Sequence, residues 1–453
     1  YLTINRSFDC FLQSFKYFKK KLMELLPTLI LIFSFITLLF ISVPVAWSIA
    51  ISSLLTIMFS IPLLPSFSTI AQRIATAFDS FTLLAIPFFI LSGQIMSSGG
   101  IAKKLISFAK SFIGSFPGGL ALINIISAML MGSIAGSALA SASAVGGILG
   151  SEMEKEGYSK EFSAAVNITS ATTGLIIPPS NILIVYSLAS GGVSVTALFL
   201  AGYIPGILTG LFLLIVAVIW SKKNNYKVGK RNSLYQVSIE FLRALPSLML
   251  LFIVVGGIIF GVFTPTEASA IAVLYSLILS FIYKEISIES LPKVILKSIK
   301  TTSVVMLLIG ASMCMSWVLS FENIPQDISS FLINLSDNKI IILLLINLTL
   351  LFVGIFMDIT PAVLIFTPIF LPVVTSLGMD PIHFGIVLVL NLCIGLCTPP
   401  VGSVLFVGVG VAGTTITKVI KPLLPFFFIM IISLLLVTFF PSISLFLPSL
   451  FDL

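Results

Sequence analysis

Gly174-Leu175-Ile176-Ile177-Pro178-Pro179-Ser180 and Gly395-Leu396-Cys397-Thr398-Pro399-Pro400-Val401 are one pattern written twice. The offset is 395 − 174 = 221, and 399 − 178 = 221 and 400 − 179 = 221 repeat it without a gap. Each Pro-Pro pair interrupts a long apolar run. Proline lacks a backbone donor and clashes with the preceding turn, so neither pair fits inside a continuous helix. In lipid, freed backbone groups persist only where protein buries them or where they line a cavity. Paired interruptions in corresponding halves point to a transporter's binding site. The chemistry on offer is cation coordination by hard oxygens, with helix N-termini nearby for an anion.

Asp358 is the one acid embedded in the apolar part of a repeat. An intramembrane acid is costly and marks a candidate functional site. Two readings stay open at this point. Asp358 coordinates a cation, or it caps the helix that follows at Thr360-Pro361. Under the 221 offset it matches Ser137, and Gly354 matches Ser133. The candidate ion ligands are therefore Ser133, Ser137, Gly174 and Pro178 in the first half, and Asp358, Thr360, Gly395, Thr398 and Pro399 in the second. Thr172, Thr173 and Ser141 add hydroxyls to the first half, and Ser180 and Asn181 lie just past its break, free to bond a polar substrate. Ser141, Thr172, Ser180 and Asn181 are the candidate substrate contacts, with packing as the alternative for Ser141. No buried cluster of Arg or Lys is evident, so a small organic anion fits better than a polyanion.

Composition sets the solvent. The chain has 453 residues, 58% hydrophobic and 9% charged, with mean hydropathy +1.19. Soluble chains carry about 25% charged residues, so this one is solvated by membrane lipid. Long apolar runs broken by Gly or Pro predict helices; a barrel would show short alternating strands. The formal charge of +7 sits in loops and reads as a topology signal, with no nucleic-acid partner implied. Cys393 and Cys397, four apart on a helix, read as packed thiols. His383 follows Pro381 at a segment start and reads as interfacial. No nucleotide-binding, metalloprotease or nucleophile-elbow motif appears, so no enzyme activity, cofactor or ATPase is expected, and an ion gradient must drive any uphill transport.

The elements that must position these residues follow from apolar spacing. Residues 1–26, with Lys16, Lys19, Lys20 and Lys21 among aromatics, read as a basic amphipathic connector or a linker helix. Residues 26–64, broken at Pro44, hold two short spans or one span plus a bent second one. A span at 81–97 precedes a basic surface helix over 101–116, ended by Pro117-Gly118-Gly119. Residues 119–150 are rich in small residues and read as a re-entrant hairpin or as close packing. Spans follow from 161 through the first break to 190, at 194–221, 240–262 and 268–284, the last opened by a Thr264 cap with Pro265 and Glu267. The basic loop 222–231 is placed in the cytoplasm by its lysines. Residues 289–300 read as a separate amphipathic piece. The second half then replays the first: a span at 301–320, a surface segment at 324–337, a run at 338–357, a stretch broken at Pro368 and Pro372, and a span through the second break to 412. A final apolar run covers 422–448.

Five blocks carry a resemblance: Gly132–Ala140, the first Pro-Pro block, Leu198–Gly210, Phe263–Ala268 and Thr398-Pro399-Pro400. Together, in order, they resemble the large membrane subunit of tripartite ATP-independent periplasmic (TRAP) transporters from about residue 27 onward. The resemblance implies an all-α polytopic protein of the bacterial inner membrane. It implies two inverted repeats with re-entrant hairpins and broken helices, of the ion-transporter-superfamily elevator type. The implied division is a connector (1–26), a scaffold (27–80), a first transport repeat (81–193), scaffold helices (194–300), a second repeat (301–417) and a C-terminal helix (418–453). The first hairpin would be 119–150 and the second 354–378, with arm helices at 101–116 and 324–337. The implied partners are a small four-helix membrane subunit, a periplasmic substrate-binding protein and membrane lipid, with Na+ as coupling ion. Some members fuse the small subunit ahead of the large one. The start at Tyr1 and the basic 1–26 segment suit the C-terminal part of such a fusion, with sialic acid (N-acetylneuraminate) as the leading substrate. The alternatives are a stand-alone sodium-coupled dicarboxylate symporter of the same superfold, and a membrane enzyme or assembly scaffold.

Overall fold

The computed structural model describes residues 26–98, 100–113, 116–226, 233–336 and 338–452, and these are helical with short connections, without a strand among them. The connector over 1–26 (save Leu26) and Lys227, Lys230 and Arg231 of the basic loop lie outside the described residues. Among the described helices, eight are long and apolar enough to cross a bilayer, or nine if one bent pair is a single span. Their outer faces are apolar: Phe252, Leu274, Leu348 and Phe428 are exposed, as side chains solvated by lipid would be.

The apolar stretch before residue 80 resolves into three helices. They are α1 (Leu26–Phe40), α2 (Val45–Ser60) and α3 (Leu63–Thr76), separated at Pro44 and Pro62. Next come α4 (Ala85–Ser98) and the surface helix α5 (Ile101–Ile113). Gly118, at φ 78°, then turns the chain into α6 (Gly119–Ala135), a backbone angle that favours glycine. Gly136, at φ 58°, closes α6, and Ser137 caps α7 (Ala138–Lys155) by accepting from the Ala140 N–H at 3.3 Å. The small-residue stretch is therefore a helical hairpin with its tip at Gly136-Ser137, and its second arm runs to Lys155.

The first Pro-Pro block separates α8 (Lys160–Thr173) from α9 (Asn181–Ala189), bent by 50°. Then follow α10 (Val195–Lys223), α11 (Leu234–Leu251), a π-turn at Phe252–Gly256, α12 (Gly257–Ile259) and α13 (Pro265–Ile282). The cap expected at α13 is a full capping box. Thr264 accepts from the Glu267 N–H at 3.3 Å, and the Glu267 carboxylate accepts from the Thr264 N–H at 2.8 Å.

The second half holds α14 (Leu291–Phe321), α15 (Ile324–Leu335), α16 (Lys339–Phe356), α17 (Ile359–Ser376), α18 (Pro381–Gly395), α19 (Ser403–Ala412), α20 (Ile416–Phe439) and α21 (Ser442–Leu450). The offset read from the Pro-Pro blocks carries through the element ends. Helix α6 ends at 135 and α16 at 135 + 221 = 356; α7 covers 138–155 and α17 covers 359–376; α8 starts at 160 and α18 at 381.

Five expectations change. Residues 289–300 are no separate piece, because α14 runs unbroken from Leu291 to Phe321. Nothing between Lys300 and Thr301 breaks a helix, and the Thr301 and Ser303 hydroxyls donate back to the Lys297 and Ile299 carbonyls. Pro368 and Pro372 do not break α17, since helices packed on several sides tolerate internal prolines and α9, α14, α15 and α18 all pack on this one. The second hairpin is longer than 354–378, comprising α16 and α17 with its tip at Met357-Asp358. The last apolar run is two helices, starting at Ile416 and interrupted at Phe440-Pro441. His383 is not interfacial but fully buried. Asp380 caps α18 by accepting from the Ile382 and His383 N–H groups. That places the His383 ring between α18, α20 and α21, with Nδ1 2.6 Å from Ser444 Oγ and Nε2 3.3 Å from the Thr438 carbonyl.

The two halves interlock. Helix α8 packs on both arms of the first hairpin, and α18 packs on both arms of the second. The far segment of each broken helix crosses over: α9 packs on α17, and α19 packs on α7. Helices α2, α3 and α4 pack on this unit through α14 and α6, α13 packs on α4, and α5 bridges α6 and α11. Lys110 pairs with Glu152 at 2.9 Å and Lys103 with Glu285 at 3.5 Å, so α5 is held at both ends by exposed ion pairs.

Candidate ion and substrate site

The two Pro-Pro blocks are best understood through the carbonyls they free. In a helix, residues 178, 179, 399 and 400 would donate to the carbonyls four residues earlier, at 174, 175, 395 and 396. Prolines cannot. Each freed carbonyl has found another donor. Gly174 O accepts from the Ile177 N–H at 3.3 Å, and Gly395 O from the Thr398 N–H at 2.9 Å. Leu175 O accepts from the Ser180 hydroxyl, and Leu396 O from the Leu405 N–H at 3.4 Å. Each carbonyl oxygen keeps a second lone pair, which is what a hard cation binds.

Glycine contacts bring tips and breaks together. A Cβ on Gly174 would stand 2.8 Å from Gly132 Cα, and one on Gly395 would stand 2.5 Å from Gly354 Cα. In each half the end of a hairpin arm thus touches the end of the broken helix's first segment, backbone to backbone. The sequence offset pairs Gly354 with Ser133, yet the crossing residue in the first half is Gly132, one position earlier. The tips are tied in as well. The Asn181 side chain lies against Gly136, and the Gly402 N–H donates to the Ile355 carbonyl at 3.0 Å. Thr172 Oγ1 and Cys397 Sγ, 3.4 Å apart, join the two breaks.

Helix polarity follows from this geometry. Helices α6, α8, α16 and α18 end at the meeting point, so their C-terminal carbonyls face it. Helices α7, α9, α17 and α19 start there, so their N-terminal N–H groups face it. C-termini carry partial negative charge and favour cations; N-termini carry partial positive charge and favour anions. One place in the fold thus offers both.

The predicted residues divide by accessibility. Asp358 is exposed at the second tip, where it is the N-cap of α17 and its Oδ1 accepts from the Ile359 N–H at 3.0 Å. The capping geometry is therefore realised, with one carboxylate oxygen left for another partner. Its repeat mate Ser137 is the N-cap of α7 and half-buried. Thr360, Pro399 and Asn181 are half-buried, and Thr398 retains 9% exposure with its hydroxyl donating to the Ile394 carbonyl.

The others turn inward. Ser133 donates to the Leu130 carbonyl, and Thr172 and Thr173 donate to the Thr169 carbonyl. Ser180 is 1% exposed and spent on Leu175, so it is not free for a substrate as the sequence suggested. Pro178 is buried and, with Ser133, borders an apolar cavity of ≈ 630 Å³ toward α10 and α11. Ser141 is fully buried and donates to the Ala128 carbonyl at 2.8 Å, clipping the two hairpin arms together; this is its packing alternative. Ser141→Ala is accordingly expected to lower thermal stability by about 1–2 kcal/mol while leaving the half-saturating substrate concentration unchanged, as melting and uptake curves would read. Sequence reasoning missed Gly132 and the Thr172–Cys397 contact. A search for small residues one position off the repeat register would have found the first.

Comparison with known proteins decides the family. Residues 32–443 match the family model described as the tripartite ATP-independent periplasmic transporter, DctM component. The chain belongs to this family. It is 54% identical to the uncharacterized protein YgiK of Salmonella typhimurium over 94% of this chain and 98% of the relative. It is 40% identical to the C4-dicarboxylate TRAP transporter large permease DctM of Pseudomonas aeruginosa, over 89% and 94%. It is 36% identical to the sialic acid TRAP transporter large permease SiaM of Vibrio cholerae, over 93% and 98%. Among solved structures, the Alcanivorax borkumensis YdaH transporter superposes with a TM-score of 0.64 at 13% identity, covering 84% of this chain and 89% of that one. That likeness concerns the fold alone. The chain is thus a TRAP large permease, a multi-pass protein of the bacterial inner membrane and not an enzyme.

Proposed function

We propose that this permease carries a small organic anion inward together with sodium, at the site where the two hairpin tips meet the two helix breaks. One observation supports this most: a single place receives four helix C-termini, four helix N-termini and the exposed carboxylate of Asp358. Carbonyl ends and Asp358 suit Na+, and the N-termini suit a carboxylate. The substrate is proposed as a carboxylate because the named relatives transport C4-dicarboxylates and sialic acid. N-acetylneuraminate remains the leading test substrate. The proposed partners are a periplasmic binding protein that delivers the anion and a small membrane subunit against the outer helices. The proposed motion is an elevator, the hairpins and broken helices sliding as one unit against α2, α4, α13 and α14.

The test is uptake into proteoliposomes holding this chain with its small subunit. C4-dicarboxylates and N-acetylneuraminate would be supplied in turn, with and without cognate binding protein. Uptake of one carboxylate that requires the binding protein is expected. Uptake at full rate without it would instead identify a stand-alone symporter.

A further inference from the structure

We propose that Cys397 is a positioning residue that couples sodium binding in one half-site to sodium binding in the other. The inference rests on the sodium-coupled reading. Among the described residues, the Thr172–Cys397 contact is the side-chain hydrogen bond that joins α8 and its break to α18 and its break. Both side chains are sealed from solvent, Thr172 at 0% and Cys397 at 1%. Both are also anchored on their own helix. The Thr172 hydroxyl reaches the Thr169 carbonyl at 3.0 Å, and the Cys397 thiol reaches the Cys393 carbonyl at 3.2 Å. With the Thr172 proton directed at Thr169, the single Cys397 S–H is shared between the Cys393 carbonyl and the Thr172 hydroxyl oxygen, which accepts it.

The positions explain how the contact would act. Cys397 stands two residues after Gly395 and directly before Thr398, so a cation drawing those oxygens inward moves its sulfur. Thr172 stands two residues before Gly174, so the displacement passes to the carbonyls of the first half. The link is asymmetric. The repeat mates are 172 + 221 = 393 and 397 − 221 = 176, which pair Cys393 with Ile176, and isoleucine has no polar atom to bond. One hydrogen bond therefore crosses the centre where twofold repetition would place two. A buried contact between two anchored groups transmits position well, because neither can relax into water.

The experiment measures sodium dependence of uptake in proteoliposomes for wild type, Cys397→Val, Thr172→Val, the double variant and Cys397→Ser, with melting temperatures for each. The valines remove the contact at similar volume, and serine keeps a polar hydrogen. Wild type should show a sodium Hill coefficient above one. In Cys397→Val the coefficient should fall toward one, and the half-saturating sodium should rise roughly two- to tenfold, as loss of a single net hydrogen bond allows. Thr172→Val should match it, the double variant should add nothing, and serine should keep a coefficient above one. An unchanged coefficient in a folded valine variant overturns the proposal, as does a wild-type coefficient of one. If Cys397→Val fails to fold, Thr172→Val carries the same comparison. Uptake indifferent to sodium in wild type would remove the sodium reading itself.

Discussion

Asp358→Asn is expected to lose sodium-stimulated uptake while the protein keeps its melting temperature within a few degrees. Asparagine caps a helix about as well as aspartate, so the start of α17 is preserved. What disappears is the charge. The Asp358 side chain has one internal donor, the Ile359 N–H, and is otherwise open at the hairpin tip. Losing a charged ligand of this kind costs about 1.5–3 kcal/mol, roughly ten- to a hundredfold in sodium affinity. Asp358→Ala should lose the same function and about 1 kcal/mol of cap stability besides. Uptake curves against sodium, with melting curves in detergent, separate the two roles. Near-normal sodium dependence in Asp358→Asn would leave Asp358 as a cap and nothing more.

Gly395→Ala should be among the most damaging added methyl groups in the described part of the chain. Its Cβ would fall 2.5 Å from Gly354 Cα and 2.6 Å from the Gly354 carbonyl carbon. Both are backbone atoms, so no side chain can swing away. Helices α16 and α18 must part, at a cost of about 1–3 kcal/mol or more, and the Gly402–Ile355 hydrogen bond stretches with them. Uptake should fall by at least roughly tenfold, with a lower melting temperature. Gly410→Ala is the matched control. It lies in α19, exposed, with nothing within 4 Å of its Cβ position, and should be neutral or gain about 0.5–1 kcal/mol. Equal behaviour of the two variants would show that the close crossing does not position the site.

The parts of this fold that were legible in the sequence are those fixed by local backbone chemistry. Pro-Pro pairs stop helices wherever they occur, Gly136 and Ser137 turn and cap, and Thr264 with Glu267 forms its box from neighbours three residues apart. The 221 offset then carried those local events from one half to the other. What stayed hidden depends on packing between distant segments. The crossing of α19 onto α7 leaves no trace in either helix. Pro368 and Pro372 looked like breaks because their supporting neighbours are remote in the chain. His383 looked interfacial because Ser444, its partner, is 61 residues away. The candidate site was legible as a set of oxygens but not as a surface. Ser141 and Ser180 carry the same hydroxyl as Ser137, but the packing of the hairpin arms turns Ser141 toward Ala128 and the fold of the break turns Ser180 back on Leu175.

The most direct test is equilibrium binding of radioactive sodium to the purified permease and to its Asp358→Asn variant, in the presence of a carboxylate that the wild type transports. Saturable, carboxylate-enhanced sodium binding that is weakened at least roughly tenfold in the variant is the expected result. Sodium binding that is absent in the wild type, or identical in the two proteins, would contradict a cation site at the meeting point of the hairpin tips and helix breaks.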